Sequence, residues 1–310
     1  MKIVRGTKNI VDPIPNPIVA IGNFDGAHIG HQAVFRKTSE RAGEINGTAV
    51  VLTFEPHPLK VIAPERAPLL LTNFHRKMEL IAQCGIHTTV CADFNRQFAD
   101  QHPREFAKNI LVDALGAKEV IVGFDYAFGR GREGTIIYLQ KMGEEFGFSV
   151  NVVDPVKIDG KIASSTLIRE LIESGDVEKA AAYLGRPYSL SGPVVKGFKT
   201  GAKIGFPTAN IDTKHVQVPG AGVYAVYFVR EHRLFPAVAN VGFNPTFHRD
   251  KLALEVHILD FEGDLYGREI EVVFIKRLRD EIEFRSAAEL ATQIAKDIAL
   301  AKTLLEEKAS

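Results

Sequence analysis

The chemistry in this chain is densest in Gly22-Asn23-Phe24-Asp25-Gly26-Ala27-His28-Ile29-Gly30-His31. Its two imidazoles can each donate a hydrogen bond to a phosphate oxygen. Gly26 and Gly30 let backbone approach a triphosphate with no side chain in the way. The stretch follows an apolar run at Pro17–Ile21 and opens a helical pattern at His31–Glu44. There a parallel sheet offers a crevice beyond its strand ends, and a helix start offers N–H groups to an anion. No GxxxxGK[ST] sequence occurs; the nearest candidate, Gly197-Phe198-Lys199-Thr200-Gly201-Ala202-Lys203, has the wrong spacing. No GxGxxG follows a strand either, so neither a Walker NTPase nor a dinucleotide site is expected.

Other stretches hold polar or aromatic residues at the same kind of place. Phe54-Glu55-Pro56-His57-Pro58 ends the second strand, and Gly123-Phe124-Asp125-Tyr126-Ala127-Phe128-Gly129 ends the fourth. Ser164-Ser165-Thr166-Leu167-Ile168-Arg169 opens a helix. Taken singly, each has a plainer reading: a rigid turn, core aromatics, a helix cap. Further on, Gly205-Phe206-Pro207-Thr208-Ala209-Asn210 carries a hydroxyl and a carboxamide oxygen, hard donors suited to Mg2+ on phosphates. Pro207 fixes φ just before them. In Leu254-Glu255-Val256-His257-Ile258-Leu259-Asp260, a strand would put Glu255 and His257 on one face, opposite Val256 and Ile258. A carboxylate there is either a solvent-facing strand residue or a proton acceptor.

Elements must hold these groups. Apolar runs at Pro17–Ile21, Thr48–Phe54, Thr88–Ala92, Glu119–Gly123 and Ser149–Val153 predict buried strands. Between them lie helical patterns at His31–Glu44, Asn73–Cys84, Pro103–Leu115 and Thr135–Phe146. Such alternation gives an α/β domain with a mainly parallel sheet and helices on both faces. Asp159-Gly160 predicts a hairpin turn, and a helix from Thr166 to Glu173 stops at Gly175. Beyond Pro187 the pattern changes. Ser189–Val195, Val223–Arg230, Phe235–Val241, Leu252–Asp260 and Glu269–Ile275 are β-rich and separated by turns, as in an antiparallel barrel or sandwich. A last helix starts at Ser286, with Glu289 completing a capping box and Leu290, Ile294, Ile298, Ala301 and Leu305 forming an apolar stripe. The predicted domains are 1–185 and 186–310.

A chain of 310 residues accommodates two domains. Lys plus Arg (38) cancel Asp plus Glu (38), which removes the case for a nucleic-acid or membrane partner. Cys84 and Cys91 have neither CxxC nor metal spacing and read as thiols in a reducing compartment. The N-terminus lacks a signal-peptide pattern and no apolar run approaches membrane-spanning length, so a cytoplasmic location is expected.

HxGH directly after the first strand resembles the nucleotidyltransferase superfamily. The longer GNFDGAHIGH, the stretches at 54–58, 123–129 and 164–169, then 205–210, Asn240–Phe247 and 254–260, in this order, resemble the bacterial bifunctional riboflavin kinase/FMN adenylyltransferase (FAD synthetase) family. The resemblance covers nearly all of residues 14–300. It implies a Rossmann-like adenylyltransferase domain followed by a β-barrel riboflavin kinase domain with a C-terminal helix. ATP would be held in the first by Gly22, Phe24, Asp25, Gly26, His28, His31, Ser164, Ser165, Thr166 and Arg169. Asp125, Tyr126 and Phe128 would face the flavin, Tyr126 standing where Phe is more usual. In the second domain Gly205, Pro207, Thr208 and Asn210 would hold ATP, with Thr208 and Asn210 on Mg2+. Glu255 would take the proton from riboflavin, and Arg279 would lie near the flavin. His28, His31 and Glu255 are thus the implied catalytic residues; riboflavin, FMN, FAD and ATP are the implied ligands, and self-association is compatible with all of this. Ala202 replaces a usual basic residue, which leaves open an adenylyltransferase with an accessory flavin-binding barrel. A non-catalytic flavin sensor is the other alternative.

Overall fold

The structure is a computed structural model that describes residues 1–197, 204–213, 216–231, 233–243 and 252–309. Ala202, Lys203 and residues 244–247 lie outside the described residues. The chain divides into two compact units: Met1–Pro68 with Phe74–Ala163, and Leu69–Asn73 with Ser164–Ser310.

In the first unit, strands β1 (Lys2–Arg5), β2 (Pro17–Ile21), β3 (Thr48–Glu55), β4 (Thr88–Asp93), β5 (Glu119–Gly123) and β6 (Ser149–Val153) form one sheet in the order β1-β4-β3-β2-β5-β6. Every pair is parallel. Helices α1 (Ile29–Glu44), α2 (Pro58–Ile62), α3 (Phe74–Gln83), α4 (Arg96–Ala99), α5 (Pro103–Phe106) and α6 (Ile136–Phe146) connect them. The helix expected over Pro103–Leu115 is α5 continued by a π-helical stretch, Ala107–Ala114. All five residues of β2 are buried. Val19 and Ile21 enter one core with Leu52, Phe106, Leu111 and Val122; Ile18 and Ala20 enter another with Phe35, Val51 and Ile81. A strand covered on both faces must be apolar at every position, which is why it reads as an unbroken run. The chain moves outward from β2 to β3 and β4, then returns to place β5 on the other side of β2. That reversal opens a crevice at the C-terminal ends of β2 and β5, where the segments 22–31 and 123–129 begin. A two-stranded hairpin, β7 (Lys157–Ile158) and β8 (Lys161–Ile162), turns at Asp159-Gly160 as expected.

The second unit contains α7 (Ser165–Glu173), α8 (Val177–Leu184), strands β9 (Tyr188–Val195), β10 (Ala209–Ile211), β11 (Gly222–Arg230), β12 (Arg233–Phe243), β13 (Leu252–Ile258) and β14 (Glu269–Arg279), and a final helix α9 (Ala287–Ala309). The six strands close into an antiparallel barrel in the order β10-β13-β12-β11-β14-β9, with β9 pairing β10. Closure leaves no edge strand to protect. The compact unit takes in α7 and α8, which the sequence reading grouped with residues 1–185. Their buried residues Ile172, Val177, Ala180 and Leu184 turn inward, the Ile172 carbonyl accepts from Gly220 N–H at 2.9 Å, and Lys276 of β14 pairs with Glu178. At the start of α9 the Ser286 hydroxyl accepts from Glu289 N–H at 3.2 Å, but the Glu289 carboxylate reaches back to Arg285 N–H, one residue before the expected partner. Ala301 and Leu305 are fully buried against Val223, Ala225, Tyr227 and Val238.

Candidate functional sites

The turn after β2 is strained backbone held by packing. Phe24 (φ 55), Gly26 (φ 81) and Ala27 (φ 40) all lie in the left-handed region, which is costly for the two non-glycine residues. Turns of mixed hand line concavities with backbone N–H groups that suit anions. Phe24 is buried, edge-on to Phe35 at 4.7 Å and to His31 at 5.2 Å. Its ring lies 2.8 Å from where a Gly22 side chain would begin, so position 22 admits only glycine without a shift.

His28 caps α1. Its Nδ1 accepts from Gly30 N–H at 3.1 Å and His31 N–H at 3.3 Å, which requires Nδ1 unprotonated and puts the ring proton of the neutral imidazole on Nε2. The capping reading is thus observed, and the tautomer it imposes makes Nε2 the protonated nitrogen of the ring. The His31 ring stacks on His28 at 3.6 Å and 20°. Asp25, at 4% exposure, is buried in the same turn.

After β5, Asp125 is exposed and Tyr126 half-buried, while Phe128 is buried. Tyr126 and Phe128 stack at 5.5 Å, and Phe128 meets Phe106, which leads on to Phe98, Phe94 and Phe54. These rings interlock as part of the unit's core, with Phe106 and Phe128 buried in it. Burial pushes the Tyr126 phenol far above its ordinary range, and its hydroxyl has no hydrogen-bond partner among the described residues. In the 54–58 stretch the Glu55–Pro56 peptide is cis, and His57 Nδ1 accepts from Leu59 N–H to cap α2.

One residue of this unit escaped the sequence reading. Lys77 on α3 is only 6% exposed, and its ammonium lies 3.5 Å from both the Asn23 carbonyl oxygen and Thr53 Oγ1. The readable signal was a lysine on the same helical face as Leu80 and Ile81, at i+3 and i+4.

Ser164, Ser165, Thr166 and Arg169 belong to the second unit. Ser164 Oγ accepts from Leu167 N–H at 3.2 Å and caps α7, with Ser165 and Thr166 in the first turn. Arg169 Nε donates to the Leu69 carbonyl at 2.8 Å.

In the barrel, three expected residues converge. Thr208 Oγ1 donates to Glu255 Oε2 at 3.3 Å, and Asn210 sits directly opposite Glu255 in the β10–β13 ladder. Burial pushes the Glu255 carboxyl up from its ordinary range, and the Thr208 hydroxyl pulls it partly back. A carboxylate so raised is a better proton acceptor than an exposed one. Gly197 makes room for Asn210, since a Cβ there would come 2.2 Å from Nδ2. His257, on the same face as Glu255, donates from Nδ1 to the Pro207 carbonyl at 2.8 Å and meets Phe206 edge-on. It thereby fixes the segment that carries Thr208. Gly205 (φ 90) and Pro207 are exposed at its start. Among the described residues no group of three or more His, Cys, Asp or Glu could hold a metal. The Thr208 and Asn210 oxygens beside one carboxylate instead fit Mg2+, which keeps most of its ligands as water and phosphate.

Arg279, expected near the flavin, makes a two-pronged ion pair with buried Asp297 of α9, Nε to Oδ1 at 3.0 Å and Nη2 to Oδ2 at 2.8 Å. Its Nη1 donates to the Asp280 carbonyl. The guanidinium ties α9 to the end of β14.

Residues 13–167 match the FAD synthetase family, and residues 184–305 match the riboflavin kinase family. The bifunctional riboflavin kinase/FMN adenylyltransferase of Escherichia coli (strain K12) is 40% identical over 299 residues, covering 96% of each chain. The chain belongs to this family. The family's Pseudomonas fluorescens member is 40% identical over 305 residues, covering 98% of each chain. Among solved structures, one described as a macrolide-efflux protein from Streptococcus pneumoniae aligns with a TM-score of 0.87 and 33% identity, over 97% of this chain and 99% of that one. The efflux wording is said of that protein. In this bifunctional-family chain, no helix among the described residues is long and apolar enough to cross a membrane. The two family matches leave residues 168–183, most of α7 and α8, between them.

Proposed function

We propose that this chain runs two consecutive ATP-dependent reactions, riboflavin to FMN within residues 186–310 and FMN to FAD within residues 1–185. The observation that carries the reading is the contact of Thr208 with a half-buried Glu255, its carboxyl pushed up by that burial, opposite Asn210. In the kinase reaction Glu255 takes the proton of the riboflavin 5′-hydroxyl as that oxygen attacks the γ-phosphorus of ATP, and ADP leaves. Mg2+ held by Thr208 and Asn210 would neutralise phosphate charge there. His257 keeps Pro207, and with it Thr208, in register.

In the adenylyl transfer the nucleophile is the phosphate oxygen of FMN, already an anion. It attacks the α-phosphorus of the second ATP and pyrophosphate leaves. No base is needed; what the chain supplies is positioning and hydrogen-bond donors for the developing charge. We assign those donors to the Nε2–H of His28, to His31 and to the N–H groups of the turn, and we assign ATP contacts to Ser164, Ser165, Thr166 and Arg169. Asp25 and Asp125 flank the nucleotide, and Tyr126 and Phe128 offer ring faces to the flavin. A cytoplasmic site of action agrees with Cys84 and Cys91 both standing as thiols.

Purified chain given riboflavin, ATP and Mg2+ is expected to accumulate FMN and then FAD, resolved by chromatography. FAD formed only from supplied FMN would reduce the barrel to an accessory, and no turnover at all would favour a flavin sensor.

A further inference from the structure

The steps above make no use of Lys77, although its ammonium is buried and desolvated. A desolvated ammonium needs compensation, and its α3 neighbours Met78, Leu80 and Ile81 are plain core residues. What surrounds the ammonium is the underside of the phosphate turn. Thr53 Oγ1 donates to the Asn23 carbonyl at 3.1 Å, and Lys77 Nζ lies 3.5 Å from that same carbonyl oxygen and from the Thr53 hydroxyl. The carboxylates of Glu55 and Asp25 and the thiol of Cys91 face it, with Arg5 and Asp93 beside Cys91. Burial outweighs these charges and lowers the lysine's proton affinity.

The Asn23–Phe24 peptide is trans and planar, so a carbonyl held inward turns the Phe24 N–H outward. Phe24 itself is left-handed, and such backbone persists only where its surroundings over-determine it. We propose that Lys77 is a positioning residue of adenylyl transfer: with Thr53 it clamps the Asn23 carbonyl and so holds the 22–27 turn in the form that presents its N–H groups to an ATP phosphate. This deepens the adenylyltransferase reading and rests on it.

The test compares Lys77→Met, Lys77→Arg and Thr53→Val in the full chain, following FAD formation from FMN against ATP concentration. Riboflavin phosphorylation in the same samples reports the barrel unit, and the KM for FMN in adenylyl transfer reports that the unit carrying Lys77 is folded. Lys77→Met is expected to lose about 10²-fold in kcat/KM for ATP, the scale of a displaced positioning group. Its KM for FMN and its kinase rate should stay unchanged. Lys77→Arg, which keeps the cation, should recover to within about tenfold of wild type, and Thr53→Val should lose about tenfold in the same quantity. The wild-type adenylyl transfer should also decline at a pH below the ordinary lysine range, a limb that the kinase lacks and that Lys77→Arg moves upward. A kinase-active Lys77→Met chain with wild-type kcat/KM for ATP would overturn the proposal. If that variant does not fold, an unchanged Thr53→Val and a limb unmoved in Lys77→Arg would overturn it instead. A wild-type chain that makes FMN but no FAD would remove the reading beneath it.

Discussion

The two units present phosphate chemistry in opposite ways. In the parallel-sheet unit the groups proposed for adenylyl transfer sit on a strained turn and a helix start: backbone N–H groups, and His28, whose Nδ1 caps α1 and whose Nε2 carries the ring proton. In the barrel they sit on a ladder, where β10 and β13 bring Asn210 opposite Glu255 and within reach of Thr208. On the proposed reading the first arrangement works through donors, and the second through Glu255 as a base whose proton affinity burial has raised. The nucleophiles explain the difference. An FMN phosphate arrives charged, whereas a riboflavin hydroxyl must lose a proton. Turns suit the first task because their N–H groups point at an anion, and strands suit the second because register fixes side-chain pairs.

The sharpest way to break this contrast is Glu255→Gln. It should cost FMN formation about 10²–10⁴-fold, the usual contribution of a general base, and leave FAD formation from FMN untouched. Next is His31→Ala, expected to lose about 10²–10³-fold in FAD formation, the scale of a lost charge-stabilising donor, with FMN formation spared. His28 sharpens the same side. His28→Asn keeps an N-cap acceptor and should hold its melting temperature while losing adenylyl transfer. His28→Ala loses the cap as well, at about 1 kcal/mol in denaturant unfolding.

Thr208→Val acts on the barrel through pH. If Glu255 is the proposed base, kinase activity should fall as pH drops through that group's raised pKa. Removing the hydroxyl that pulls the pKa back should move the acid limb of kcat/KM further up, and KM for MgATP should rise about tenfold for the lost oxygen ligand. The smallest effect is on stability alone. Asp297→Asn leaves Arg279 without its charge partner; a fully buried pair would cost about 3–5 kcal/mol. Arg279 keeps 20% of its side chain in water, so about 2 kcal/mol in urea unfolding is expected.

Much of this was legible in the residues. Three strands, Pro17–Ile21, Glu119–Gly123 and Ser149–Val153, begin and end where expected; burial on both faces leaves the first no polar position to blur it, whereas the third, at the sheet edge, has no buried residue and shows in its valines alone. Short elements were not legible: β1 is four residues at an edge with only Val4 buried, and β10 has three residues whose pairing depends on β13 far along the chain. The HxGH turn announced itself by composition, but the tautomer of His28 follows from two backbone donors that only coordinates reveal. Lys77 looked like any helical lysine, since its burial depends on Asn23 and Thr53. The pairing of Arg279 with Asp297 was likewise hidden, because its partner lies a turn and a helix away.

The division of labour is tested most directly by assaying both half-reactions side by side on folded Glu255→Gln and His31→Ala chains. The account predicts that Glu255→Gln makes FAD from FMN at the wild-type rate but no FMN, and that His31→Ala accumulates FMN from riboflavin and stops. A folded variant of either kind that has lost both reactions would contradict it.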